Sequence, residues 1–62
     1  MLWLSELLIQ EHDVTTFEEL KKAVVERALK GEIQFGMDVK PGFHDTPDDW
    51  EEILENTFSS AR

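Results

Sequence analysis

One stretch of alternating residues limits the possible folds of this chain more than any other feature. Over residues 32–40, apolar side chains alternate strictly with polar residues or glycine, a period of two that predicts one short strand or extended segment. The apolar members are Ile33, Phe35, Met37 and Val39. A single strand cannot satisfy its own backbone N–H and C=O groups, so this segment needs partners from elsewhere.

Three solutions for these backbone groups stay open. The segment can lie extended across the helices with its backbone facing water. It can pair within the chain, for which residues 13–15 and an extended form of residues 1–5 are the available stretches. It can also pair in trans, with a copy of itself or with the sheet edge of another protein.

Helical patterns lie on both sides of this segment. The N-terminal stretch is nearly all apolar and predicts a helix over about residues 2–11, whose apolar surface is too wide for one neighbouring helix to cover. A second helix is predicted over about residues 17–30. Thr16 and Glu19 fit a capping box at its start, and Gly31 fits a left-handed cap at its end.

A third helix is predicted over about residues 47–58, with Thr46 as its N-cap and Pro47 at its first position. Its apolar side chains recur with helical period on one face, and its carboxylates occupy the other. Together these elements predict a mainly α fold. We expect a small three-helix domain over residues 1–62, with residues 32–40 as a short strand or extended segment between helices 2 and 3.

The charge balance of the chain and its lack of cysteine limit the partners and ligands that it can bind. The 62 residues include 14 Asp and Glu against 6 Lys and Arg, for a formal net charge of -8. This excess of acid disfavours binding to nucleic acid or to anionic membrane surfaces. The N-terminal segment lacks the basic start and cleavage site of a secretory signal, so we expect a cytoplasmic protein. The chain has no cysteine, which excludes disulfides and thiolate metal sites.

Residues that could carry chemistry are few. His12–Asp13 and His44–Asp45 each join a histidine to a carboxylate, but neither is followed by further ligands at the short spacing of a zinc site. Residues 38–49 have the length of a calcium-binding loop, yet lysine and glycine stand where such a loop needs oxygen ligands. We therefore predict no enzyme activity, no catalytic residues, no metal site and no cofactor.

The acidic third helix favours an interaction function. Residues 43–58 hold six acidic residues and no Lys or Arg, interrupted by aromatic and aliphatic side chains. Such a helix can dock into a groove with a basic rim, although an ordinary packed helix with a solvated outer face has the same pattern. We predict a small acidic protein-binding module: an inhibitor, antitoxin-like neutraliser or adaptor of a basic protein, such as an enzyme or toxin. The predicted partner-binding residues are Ile33, Phe35, Met37, Val39, Phe43, Asp48, Asp49, Trp50, Glu51, Glu52, Ile53, Leu54, Glu55 and Phe58.

The alternative function is that of a self-assembling structural subunit, a homodimer or larger homo-oligomer. In that arrangement the lone strand pairs with its symmetry mate, and the apolar N-terminal helices of two chains cover each other. The predicted self-association residues are Leu2, Trp3, Leu4 and Leu7. Sequence alone leaves open whether Trp3 and Trp50 belong to the core or to an interface.

Overall fold

The computed structural model describes residues 1–61 and contains three helices and two very short strands. In chain order these are β1 (Leu2–Trp3), α1 (Leu4–Gln10), α2 (Phe17–Leu29), β2 (Phe35–Gly36) and α3 (Trp50–Ser60). The mainly α, three-helix fold with a short strand between the second and third helices is therefore confirmed.

The two strands form a parallel pair, with Leu2 opposite Phe35 and Trp3 opposite Gly36. The backbone N–H of Leu2 also donates to the carbonyl of Gln34 at 2.9 Å. Of the three solutions open to the alternating segment, the structure has the pairing with the N-terminal residues. This pairing also explains why α1 begins two residues later than predicted: the first residues of the chain are extended in β1.

Both ends of α2 agree with the signals in its sequence. The Thr16 hydroxyl accepts the N–H of Glu19 at 3.1 Å, as in a capping box. The Glu19 carboxylate reaches one residue further back than expected and accepts the N–H of Thr15 at 3.0 Å. At the other end Gly31 has a φ of 110°, and its N–H donates to the carbonyl of Ala28 at 3.2 Å. This left-handed residue terminates the helix without the strain that a side chain would add.

The start of α3 differs from the prediction. The helix begins at Trp50, and Thr46 is not its N-cap. Instead, the N–H of Thr46 donates to the carbonyl of Phe43 at 3.1 Å and closes a turn, while its hydroxyl is buried without a hydrogen-bond partner among the described residues. The first helical hydrogen bond runs from Ile53 to the carbonyl of Asp49 at 3.1 Å. Thr46, the predicted N-cap, therefore belongs to a local turn before the helix.

The core lies where α2 and α3 pack together and is closed by α1 and β1. The sheet also contacts the third helix, where the rings of Phe35 and Phe58 stack with centroids 5.4 Å apart. The buried apolar side chains are Leu2, Leu4, Leu7, Phe17, Leu20, Ala23, Val24, Ala28, Trp50, Leu54 and Phe58.

Two aspartates from the irregular segment between β2 and α3 cap the other helices from a distance. Asp38 accepts the backbone N–H of Ser5 at 3.0 Å and its hydroxyl at 2.6 Å, in the first turn of α1. Asp45 accepts the N–H of Phe17, the first residue of α2, at 2.7 Å. Each carboxylate satisfies a helical N–H group that has no partner inside its own helix. The segment is thus held at two points along its length.

These contacts also alter the acidity of the two capping groups. The hydroxyl and then the backbone N–H of Ser5 lower the pKa of Asp38, because both hydrogen bonds favour the charged carboxylate. The backbone N–H of Phe17 does the same for the pKa of Asp45. Glu19 likewise has a lowered pKa, chiefly through the backbone N–H of Thr15.

Candidate functional site

The outer side of α3 and the turn before it carry a dense group of carboxylates, which we call the α3 acidic face. All five side chains are exposed. Those within the helix lie at spacings of one, three and four residues, so they share one side of its surface. The members of the α3 acidic face are Asp48, Asp49, Glu51, Glu52 and Glu55.

The opposite side of α3 fixes the orientation of these carboxylates. Trp50, Leu54 and Phe58 recur at every fourth position and are buried in the core. Ile53 is half-buried beside them. Because these apolar anchors lie beneath the helix, a partner that approaches α3 in this conformation meets the carboxylates and not the aromatic side chains.

The charges of the α3 acidic face are not neutralised by the described part of the chain. Three ion pairs occur among residues 1–61, and none includes a member of this face. They join the Met1 ammonium to Glu32 at 3.9 Å, Lys21 to Glu18 at 3.1 Å and Arg27 to Glu11 at 3.6 Å. Two of the cations on α2 are therefore already engaged with acids elsewhere, and the field of the α3 acidic face extends into solvent.

The other predicted partner-binding residues divide between the surface and the core. Ile33 and Val39, at the two ends of the alternating segment, are exposed. Phe35, Met37 and Phe43 are half-buried and pack against the core. The two ends of the alternating segment are thus exposed to solvent, while its middle packs against the core.

Three of the four predicted self-association residues lie in the core of the chain. Leu2, Leu4 and Leu7 are buried, whereas the Trp3 side chain keeps 40% of its area exposed. The two tryptophans are thereby distinguished: Trp50 is a core residue and Trp3 is partly open to solvent. Sequence patterning could not separate them, because Trp3 lies in an apolar run and Trp50 lies on the apolar face of a predicted helix, and both kinds of surface occur in cores and in interfaces.

A second acidic surface, a shallow cleft of about 230 Å3, lies between the α1–α2 loop and one side of α2. Sequence analysis did not predict it, although Glu19, Lys22, Ala23 and Glu26 have the spacing of a single helix face. The cleft is lined by Glu11, Asp13, Val14, Glu19, Lys22, Ala23 and Glu26.

The described residues do not assemble a metal site. Among residues 1–61, no group of three or more His, Cys, Asp or Glu side chains is placed to hold a metal ion. Of the two His–Asp pairs in the sequence, His44–Asp45 has its carboxylate bonded to the N-terminus of α2. The structure therefore gives that carboxylate a capping role.

No family model, curated protein or solved structure matches this sequence. Within the described part of the chain, no helix has the length and apolar character needed to cross a membrane.

Proposed function

We propose that this chain is a small acidic protein-binding module that acts as an inhibitor, an antitoxin-like neutraliser or an adaptor of a basic protein. The observation that carries this proposal is the α3 acidic face, five exposed carboxylates with no ion pair to residues 1–61. The formal net charge of -8 adds a long-range attraction to any cationic surface.

The way α3 is anchored supports binding of a folded partner. Trp50, Leu54 and Phe58 lock the helix to the core, so the backbone that carries the carboxylates is ordered before a partner binds. Pre-ordered groups lose less conformational entropy on binding than flexible ones. Charged groups at the rim of an interface chiefly raise the association rate and select the partner, and they make both properties sensitive to salt.

A pair of matched triple variants tests the proposal. Glu51→Gln, Glu52→Gln and Glu55→Gln together remove three charges from the α3 acidic face. Glu6→Gln, Asp13→Asn and Glu26→Gln remove three charges from exposed positions elsewhere. Both triples change the formal net charge from -8 to -5, so they differ in where the charge is lost and not in how much.

The tagged wild-type chain and both triples are used to capture partners from extract of the source cells, and captured proteins are identified by mass. Affinity is then measured with the purified partner at several salt concentrations. We expect one basic protein whose affinity falls about tenfold for the α3 triple, the combined effect of three exposed ion pairs, and less than about twofold for the control triple. Equal losses for the two triples, an acidic partner, or no partner at all would each refute the proposal.

A further inference from the structure

We draw no further inference here: the strongest candidate, the shallow cleft between the α1–α2 loop and one side of α2, is lined mainly by carboxylates, and nothing else among the described residues points to a ligand for it.

Discussion

Replacing Gly36 with alanine tests the packing of the small sheet most directly. Gly36 is buried, and its φ is not in the left-handed region, so alanine introduces no backbone strain there. Its added methyl group would instead overlap the six-membered ring of Trp3 and come within 2.8 Å of the terminal methyl of Met1. The methionine can move aside at little cost, whereas the indole is broad and rigid.

The size of the stability loss for Gly36→Ala depends on how the indole of Trp3 accommodates the added methyl group. Overpacking of this kind typically costs about 1–3 kcal/mol. If the ring instead swings into water, it exposes the covered 60% of a side chain that is 40% exposed. For an area of about 250 Å2 that is about 150 Å2, or at most about 4 kcal/mol. Alanine also restricts the unfolded chain, which restores about 0.4–1 kcal/mol. We expect a net loss of about 1–2 kcal/mol in the free energy of unfolding.

Urea unfolding followed by far-ultraviolet circular dichroism measures this loss, and Gly42→Ala is the matched control. An added carbon at Gly42 meets no atom within 4 Å, and its φ is not in the left-handed region. The control should therefore be unchanged or stabilised by up to about 1 kcal/mol. In a Trp3→Ala background the steric conflict disappears, and Gly36→Ala should then cost less than about 0.5 kcal/mol.

Two results would refute this reasoning. If Gly36→Ala were as stable as Gly42→Ala, the indole could not lie over Gly36 as described. If the cost of Gly36→Ala were the same with and without the tryptophan, the conflict would involve some other group. The difference between the two backgrounds is thus the quantity that decides.

Two further predictions concern the helix caps. Asp38 and Asp45 have pKa values below the ordinary 3.8, so the unfolded chain binds more protons than the native chain as the pH falls through that value. Their contribution to stability is present above the ordinary pKa and is lost as the pH drops through the lower native pKa. The variants Asp38→Asn and Asp45→Asn should therefore lose less stability than the wild type between pH 5 and pH 2. Urea unfolding at each pH measures this difference. Thr16→Ala removes the hydroxyl that accepts the Glu19 N–H and should lower the free energy of unfolding by about 1 kcal/mol, whereas Thr15→Ala should have a smaller effect because the Thr15 backbone N–H still bonds to Glu19.

The agreement between sequence and structure is best where the signals are local. The prediction for α2, about residues 17–30, differs from the observed Phe17–Leu29 by one residue. Its start and end are set by Thr16 and Gly31, which adjoin the helix in the chain. A pattern of neighbouring residues is enough to locate such ends.

The prediction was less accurate where distant residues decide the outcome. The start of α1 depends on β1 pairing with a strand more than thirty residues later, and the helix begins at Leu4. At α3, the sequence Thr46–Pro47 has every local feature of a helix start. The chain instead forms a turn there, which places Asp45 on the N-terminus of α2.

The candidate site was predictable in part for the same reason. Helical periodicity alone put the carboxylates of α3 on one side and its apolar residues on the other, and both sides are as expected. Periodicity could not show whether the apolar side of α3 packs in the core of the chain or against a partner, because that depends on the apolar surface of α2. In the structure, Trp50 and Phe58 are buried within the chain.

The long-range contacts of the N-terminal elements also limit how early these elements can form. β1 pairs with β2, Ser5 receives its cap from Asp38, and Phe17 receives its cap from Asp45, so each contact spans about half the chain. A seven-residue helix such as α1 is not stable alone in water. β1 and α1 therefore cannot complete their contacts before residues 35–38 are present, and the cap on Phe17 also requires Asp45. Closing these long loops brings several contacts together, so we expect β1, α1 and β2 to form cooperatively.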